Sequence, residues 1–185
     1  DGTLDGNAEM DAVLRVYLPR AGSYPITLRG VGKTDVRALS LTPAPEGRED
    51  LREVDGKVIL NSRDATVWGH TLRYEPNPKK LCLGYWANPN DYADWRFHLD
   101  QPGTFVVEID QGCGQGHGGS PAYVAHDGQE LAFTVQDTGG FQNFVTRRLG
   151  RLTIAEAGSH VVKVAAHGKA KGAVMDVSEI RLVRQ

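Results

Sequence analysis

Residues 83–105 have the sequence LGYWANPNDYADWRFHLDQPGTF, and this stretch decides the fold. Two apolar, aromatic-rich runs flank an Asn-Pro-Asn-Asp turn, and a Pro-Gly pair closes the second run. From Ala93 to Leu99 every second residue is apolar, as a strand in a sheet with one buried face requires. The stretch therefore predicts a strand, a turn, a second strand and a second turn.

Similar short runs recur along the chain, and 22 glycines and 9 prolines supply many turns between them. No segment shows a helical period over several turns. Many short strands at this spacing indicate an all-β protein, either a β-sandwich or a jelly roll. The predicted strands are 57–61, 65–68, 71–75, 81–86, 93–99, 104–110, 121–126, 130–135, 143–146, 149–154, 159–166 and 174–183.

The segment PAPEGREDLREVD, residues 43–55, is charged and contains prolines, which is typical of a domain boundary. We place a linker at residues 45–55, with at most a short helical turn at 49–54. One complete β-sandwich module then occupies residues 56–185. Residues 1–44 form a separate N-terminal β segment.

That N-terminal segment repeats the pattern of the last third of the chain. Three short runs between Val13 and Leu41 match residues 150–183, and Arg15 falls on Arg151 at the same offset as neighbouring matches. An internal repeat would make residues 1–44 the C-terminal strands of a preceding β-sandwich. The alternative is that two hairpins share this pattern by chance. In either case a lone hairpin is marginal in water and must pack on a neighbour.

Composition excludes several classes of function. The formal net charge is −2, and no basic cluster of the kind that binds nucleic acid is present in the sequence. No run of about 18 apolar residues could span a membrane. We therefore expect neither a nucleic acid nor a membrane as partner. Cys82 and Cys113 allow at most one disulfide; two buried thiols are the favoured interpretation and a disulfide is the alternative.

The residues that could carry catalysis or bind metal are not arranged for it. A glycosidase needs two facing carboxyl groups, but the spacing of Asp91, Asp94, Asp110 and Asp137 follows turns and exposed strand positions. Six histidines form no close pairs of the kind that zinc sites use. We expect His98, His126 and His160 to be solvated. The sequence predicts no catalytic residue and no metal ligand.

Aromatic and amide side chains near turns favour a binding site instead. Sugars present apolar C–H faces to aromatic rings and hydroxyl groups to amides, so a sugar site needs both. Residues 83–92 and a second aromatic loop, DTGGFQNF at 137–144, supply this mixture. The predicted ligand-binding residues are Tyr85, Trp86, Tyr92, Phe141, Gln142 and Asn143. For Trp86 a core position is the alternative, and we expect Trp95 and Phe144 in the core.

At this point the motifs carry a resemblance to a known class. GYWANPNDYADWRF, QPGTFVVEI, GGS, DTGGFQNF, AGSH and VMDVSEIRL follow one another as in galactose-binding-like β-sandwich carbohydrate-binding modules of families 6 and 35. The run from DATVWGHTLRYEP to AVMDV is similar to non-catalytic C-terminal modules of secreted bacterial sulfatases and α-L-fucosidases. The resemblance covers roughly residues 56–185.

The resemblance implies a cleft at the loop end of the sandwich, where two aromatic residues clamp a sugar ring. Tyr85 matches the first aromatic position, and Phe141 stands where tryptophan is usual. The asparagine that bonds the sugar is replaced by Val174, which removes a polar anchor. A second site of some members would use Tyr92.

The family's structural calcium uses a glutamate early in the module and an aspartate in the last strand. The aspartate matches Asp176, but Arg63 occupies the glutamate position. Our hypothesis is that Arg63 pairs with Asp176 and takes the place of calcium, since a buried carboxylate needs a positive partner. We therefore expect no cofactor; a structural calcium near Asp176 is the alternative.

The resemblance implies a non-catalytic accessory module that targets an attached sulfatase or glycoside hydrolase, such as an α-L-fucosidase, to polysaccharide. A tethered second site raises the local concentration of substrate without new chemistry. The protein would be secreted or periplasmic. The alternatives are a structural β-sandwich that packs on a catalytic domain and, more remotely, a small glycan-active enzyme. An exposed sheet edge would also allow a homodimer.

Overall fold

The computed structural model of the chain describes residues 22–27, 47 and 50–185. Residues 22–27 are exposed and form no strand. Apart from them, the predicted strands before Leu41 and the N-terminal copy of the predicted repeat lie outside the described residues. Within the described ranges, no helix has the length and apolar character needed to cross a membrane.

The described residues form twelve β-strands and one 3₁₀ turn at Ser62–Asp64. The strands are β1 (Leu51–Arg52), β2 (Lys57–Asn61), β3 (Thr66–Trp68), β4 (Arg73–Glu75), β5 (Cys82–Gly84), β6 (Tyr92–Leu99), β7 (Gly103–Cys113), β8 (Pro121–His126), β9 (Gln129–Thr134), β10 (Gly140–Ile154), β11 (Gly158–Ala166) and β12 (Asp176–Arg184). The prediction of an all-β protein is confirmed.

The strands form two sheets that pack as a sandwich. The first, which we call the β6 sheet, has the order β1-β6-β11-β8-β9, with β3 paired to β6. The second, the β7 sheet, has the order β10-β7-β12-β5-β4, with β2 paired to β12. All of these pairings are antiparallel except that of β1 with β6.

The core lies between the two sheets and follows the alternation of the sequence. Along β6, Ala93, Trp95, Phe97 and Leu99 are buried, while the residues between them are partly or fully exposed. Burying one large apolar side chain contributes about 1.5–3 kcal/mol relative to leaving it in water. The alternation therefore determines which face of β6 turns inward, as predicted. Trp95 also donates its indole N–H to the Asn61 carbonyl at 2.7 Å.

Two Asp-Gly turns close hairpins of the sandwich. Asp55 and Gly56 have φ angles of 49° and 73°, and Asp127 and Gly128 have 42° and 75°. Two consecutive left-handed residues are what a two-residue type I′ turn requires, and its twist matches that of the flanking strands. The Asp127-Gly128 turn joins β8 to β9, and the Asp55-Gly56 turn leads into β2.

Two local features differ from the sequence analysis. The short helical turn that the sequence allowed at 49–54 is absent from residues 50–54, because Leu51 and Arg52 pair in parallel with Phe97 and His98 and the Leu51 side chain packs on the core. Strand β1 thus lies within the segment we treated as a linker. The strands predicted at 143–146 and 149–154 are one strand, β10, whose register shifts between Arg148 and Gly150. A β-bulge keeps the ladder continuous across such a shift.

The contrast between the two faces of the β7 sheet can be tested with two isoleucines. Ile109 is fully buried on β7, whereas Ile59 on β2 is 38% exposed. We expect Ile109→Ala to lower the free energy of unfolding by about 2–5 kcal/mol because it leaves a cavity. The Ile59→Ala control should cost only about 0.5 kcal/mol. Urea denaturation measures both, and equal losses would contradict the assigned faces.

Candidate functional site

Four loops meet at one end of the sandwich, which we call the loop end. The Val174 amide donates to the Trp86 carbonyl at 2.8 Å, and the Gly119 amide donates to the Val135 carbonyl at 2.9 Å. These bonds join the loops in pairs. The loops of the loop end are 85–91, 114–120, 135–139 and 167–175.

A buried carboxylate, that of Asp91, fixes the loop between β5 and β6. Asp91 accepts hydrogen bonds from the backbone amides of His70, Thr71 and Leu72 at 3.1, 2.7 and 2.9 Å. The Thr71 hydroxyl and the Asn88 side-chain amide donate to it at 2.8 and 2.9 Å. Burial raises the pKa of Asp91, but the hydrogen bonds from Leu72, Thr71 and His70 outweigh it and hold the pKa below its usual value.

Tyr85 stands at the start of this loop with its ring turned to solvent. Its φ angle is +56°, a left-handed conformation that costs a non-glycine residue about 1–3 kcal/mol. The side chain is 53% exposed. The Arg73 guanidinium carbon lies 3.6 Å from the ring centroid, and the Lys80 ammonium lies 5.3 Å from it. The prediction of an outward-facing Tyr85 thus agrees with the structure.

Trp86 was predicted to contact ligand, but the structure places it in the core. Its side chain has no exposed surface, and its indole N–H donates to the Asp91 carbonyl at 3.0 Å. Because the ring is enclosed, it supports the loop and does not contact a surface ligand. The prediction for Trp86 was wrong, and the alternative that we had left open is correct.

Phe141 lies in the irregular first part of β10, where the register shifts between Gly140 and Val145. Its half-buried ring packs edge-on against His117, with the ring centroids 5.4 Å apart. A Cβ atom at Gly114 would lie 2.6 Å from this ring, so only glycine admits it there. Gly112 likewise leaves room for the backbone of Phe141.

Gln142 and Asn143 are exposed beside Phe141. The Gln142 side chain donates to the Asp176 carboxylate at 3.0 Å, and the Asn143 side chain donates to the Thr138 carbonyl at 3.3 Å. Four of the predicted residues therefore lie at or next to the loop end. They are Tyr85, Phe141, Gln142 and Asn143.

Tyr92, the remaining predicted residue, lies on the other sheet. It begins β6, and its ring stacks on Trp68 with centroids 5.7 Å apart and planes 13° apart. The Lys163 ammonium lies 5.5 Å from the Tyr92 centroid and 5.3 Å from that of Tyr123. Tyr92 thus belongs to a second aromatic surface, on the outer face of the β6 sheet.

Sequence reasoning missed His117 and Lys169 of the loop end, and it missed Arg73, which contacts Tyr85 from strand β4. Lys169 donates to the backbone carbonyls of Ala87 and Gly172 and so ties two loops together. His117 has a buried Nδ1 for which the described residues provide no hydrogen-bond partner. No local motif marks these residues. Val174, the position that lacks the expected asparagine, is fully buried.

Arg63 does not pair with Asp176, so the hypothesis that this arginine replaces calcium was wrong. Arg63 is exposed, and its Nε lies 3.7 Å from a carboxylate oxygen of Asp64. Asp176 instead accepts hydrogen bonds from Gln142 and from the Cys82 thiol, whose sulfur is 3.5 Å from the carboxylate oxygen. The carboxylate is therefore held by neutral donors.

The surroundings of Asp176 do not fit calcium either. Glu75, Cys82 and Asp176 each place one possible ligand atom within 4.8 Å of the others. Calcium takes about six to eight oxygen ligands, whereas this set includes a thiol. The Lys80 ammonium already pairs with Glu75 at 2.7 Å and supplies positive charge.

Burial raises the pKa of Asp176 to about 7, and the nearby charge of Glu75 adds to this effect. Hydrogen bonds from Cys82 and Gln142 oppose the rise without cancelling it. Burial also raises the pKa of Cys82, and it raises that of Cys113 to about 11. Both thiols are buried and form no disulfide, as the favoured interpretation predicted.

The carboxylates weighed as catalytic candidates have structural partners. Asp110 forms a two-point ion pair with Arg181, with both N–O distances at 2.8 Å. Asp94 accepts from the Trp68 indole at 2.8 Å. Asp137 accepts backbone N–H bonds from the loops around it. Together with Asp91, these carboxylates hold strands and loops in place.

The histidines are less solvated than we expected. His126 is only 7% exposed, and its Nδ1 lies 2.9 Å from the Val161 carbonyl oxygen. Its ring lies 5.4 Å from that of His160, and both His160 and His98 are half-buried. The expectation of solvated side chains was therefore wrong for His126. The cause is strand pairing, which brings together residues far apart in sequence.

Comparison with solved structures identifies the fold. No protein-family model and no curated protein matches the sequence. A family 35 carbohydrate-binding module from Clostridium thermocellum superposes with a TM-score of 0.57 at 14% identity, covering 70% of this chain and 98% of that one. The C-terminal family 6 module of LamC, a laminarinase from Zobellia galactanivorans, gives 0.55 at 15% identity, covering 69% and 99%.

The chain therefore has the β-sandwich fold of carbohydrate-binding modules of families 35 and 6, which confirms the predicted resemblance at the level of the fold. In a mannanase from Podospora anserina, which carries a family 35 module, the match covers 28% of that longer chain at a TM-score of 0.52 and 15% identity. The insecticidal crystal protein Cry2Aa shares the fold at 12% identity, a TM-score of 0.56, and coverage of 69% of this chain and 21% of that one. The fold alone does not set the function.

The role of Asp91 can be tested by Asp91→Asn. The amide nitrogen cannot accept the N–H bonds that the carboxylate accepts, so we expect a loss of about 2–4 kcal/mol in unfolding free energy near neutral pH. Folding lowers the pKa of Asp91 below 3.8. The contribution of its carboxylate to the free energy of unfolding is therefore lost as the pH falls below 3.8. Denaturation at several pH values measures this, with exposed Asp100→Asn as the control. A loss that does not shrink in acid would contradict the assignment.

Asp176 should show the opposite pH dependence. Folding raises its pKa from 3.8 to about 7, so its contribution to stability is complete in acid and is lost as the pH rises to about 7. We expect the melting temperature of Asp176→Asn, relative to the natural chain, to rise by roughly 5 °C between about pH 4.5 and about pH 8. A difference that stays constant with pH would show that Asp176 is not buried in this way.

Proposed function

We propose that this chain is a non-catalytic carbohydrate-binding module that binds polysaccharide or oligosaccharide at its loop end. The observation that carries the proposal is the outward ring of Tyr85, which a left-handed backbone holds in solvent at the same end of the sandwich as Phe141. Exposing a large ring at a backbone cost is unfavourable for folding alone. Such strain is typical of ligand sites.

The surroundings of these rings suit a sugar. Aromatic faces accept the C–H face of a pyranose, and a few polar groups fix its hydroxyls. Asn143, next to the loop end, and Lys169, within it, supply exposed amide and ammonium groups. Gly84 and Gly112, which have no side chains, lie on either side of Asp176 in the β7 sheet, and Gly112 admits the backbone of Phe141 over it. This arrangement supports binding although Val174 provides no polar anchor.

We further propose that the module targets an attached enzyme to polysaccharide, a sulfatase or a glycoside hydrolase such as an α-L-fucosidase, in a secreted or periplasmic protein. The motif resemblance supports this, and the mannanase neighbour shows that such a module occurs joined to a hydrolase. Attachment raises the effective concentration of substrate at the catalytic site. Tyr92 and Lys163 would provide a second surface on the β6 sheet.

The second candidate function is a structural β-sandwich that packs on a catalytic domain without binding glycan. The observation that favours it is the burial of Val174 at the position where the resemblance calls for a ligand-binding asparagine.

We also propose that an exposed sheet edge allows a homodimer. A monomeric mass in solution would overturn this proposal.

The proposal is tested by binding of the full chain to immobilised neutral and sulfated polysaccharides. We expect Tyr85→Gly and Phe141→Ala each to abolish binding to the preferred polymer, since each removes a ring. Tyr85→Gly should leave stability unchanged or higher because glycine adopts the left-handed conformation at no steric cost. This separates loss of binding from loss of folding.

Ile59→Ala, on the outer face of the β7 sheet, is the control and should bind like the natural chain. Binding that survives both ring substitutions but is lost in Tyr92→Ala would move the site to the β6 sheet. No binding to any polymer would favour the structural alternative.

A further inference from the structure

Strand pairing brings two histidines together at the end of the sandwich opposite the loop end. His126 is the last residue of β8, and His160 is the third residue of β11. Ala125 of β8 pairs with Lys163 of β11. Continuing that antiparallel register places His160 diagonally opposite His126 on the same face. The ring centroids lie 5.4 Å apart, and the ring planes are 70° apart.

Both rings lie at the rim of the core. Along β8 and β11 every second residue turns inward, and the two histidines share this inward face with Val124 and Val162. His126 is only 7% exposed, and the ring of His160 lies 5.7 Å from that of the buried Phe97. Packing and strand pairing thus hold the two rings in place, so binding a ligand between them costs little conformational entropy.

The hydrogen bonds of the two rings determine which nitrogen of each is protonated. The Nδ1 atom of His126 lies 2.9 Å from the Val161 carbonyl oxygen, and the Nε2 atom of His160 lies 3.1 Å from the Glu156 carbonyl oxygen. A carbonyl oxygen can only accept, so these two nitrogens donate. In the neutral rings the lone pairs then lie on Nε2 of His126 and on Nδ1 of His160. Metal-binding histidines are commonly oriented by such a bond from the other ring nitrogen.

The two nitrogens that carry the lone pairs are free to bind an ion. Within residues 50–185 neither of them forms a hydrogen bond. Neither is buried without a partner, so both reach the surface of this part of the chain. Two imidazoles that hold one tetrahedral ion, with nitrogen–metal distances of about 2.0–2.1 Å, place their ring centres roughly 5 Å apart. The spacing of 5.4 Å between His126 and His160 is close to this.

We propose that His126 and His160 form a binding site for a divalent transition-metal ion that prefers imidazole ligands, such as Zn²⁺. The two rings supply two nitrogen ligands, and water completes the tetrahedral set. Asp127 and Glu156 are exposed in the adjacent turns and add negative charge near the site. Because the unfolded chain does not hold the two rings together, a bound ion stabilises the folded chain. This inference is independent of glycan binding at the loop end.

The site is tested by isothermal titration calorimetry of the full chain after treatment with a chelator. We expect one Zn²⁺ ion per chain to bind, and Ni²⁺ to compete with it because it also accepts imidazole ligands. An excess of Ca²⁺, which takes oxygen ligands, should leave the affinity for Zn²⁺ unchanged. Zn²⁺ should also shift the nitrogen-15 NMR signals of the His126 and His160 rings, which an ion bound elsewhere would not do.

The variants separate the histidine pair from other possible ligands. His160→Gln and His126→Gln should each weaken Zn²⁺ binding by at least about tenfold, since each removes one of two protein ligands. His98→Gln is the matched control. His98 lies at the same end but on the outer face of β6, with its Nε2 atom 3.5 Å from an Asp100 carboxylate oxygen. This variant should bind Zn²⁺ like the natural chain, and circular dichroism confirms that each variant is folded.

Each outcome supports or overturns the site. Tenfold losses confined to His126→Gln and His160→Gln, with shifts of the same two rings, would support it. Equal losses in His98→Gln and His160→Gln would overturn it, because the ion would then be held diffusely. Binding that persists in both pair variants but is lost in Cys82→Ser would overturn it and place the ion beside Asp176. No binding of Zn²⁺ at concentrations up to about 1 mM would also overturn it.

Discussion

The loop end depends on the burial of one carboxylate, that of Asp91. A buried charge is costly unless hydrogen bonds replace its water, and here three backbone amides, a hydroxyl and a side-chain amide do so. Because the amides belong to residues 70–72 and the carboxylate to the loop after β5, one group holds two segments together. The buried Trp86 holds the same loop from the core side, because its indole N–H donates to the Asp91 carbonyl.

This anchored loop explains why two adjacent aromatic residues have opposite roles. Neither residue lies in a regular strand, where neighbouring side chains would alternate between faces. Tyr85 follows β5 and has a left-handed backbone. Trp86 then points into the core, where its area contributes to stability, and Tyr85 points into solvent beside Arg73. The hydrogen bonds to Asp91 that hold this loop offset the free-energy cost of the left-handed conformation at Tyr85. A ring exposed in this way is available to a ligand.

The Asp176 region shows how neutral donors can surround a buried carboxyl group. The resemblance implied a calcium ion or an arginine partner, but Asp176 is surrounded by a thiol, an amide and the Glu75–Lys80 pair. Burial therefore shifts the carboxyl group toward its neutral form, which reduces the cost of keeping it out of water. The sandwich around it is the same as in families 35 and 6.

The sequence by itself determined most of the strands, the Pro-Gly turn and the inward face of β6, because the period of two along a strand and the preferences of turn residues are local properties. It also placed Tyr85 and Phe141 near turns. Only the tertiary structure decided that Trp86 is buried, that Arg63 is far from Asp176, and that Arg73 lies on Tyr85. These facts depend on strand pairing and on a single backbone angle, which join residues whose proximity no local pattern records.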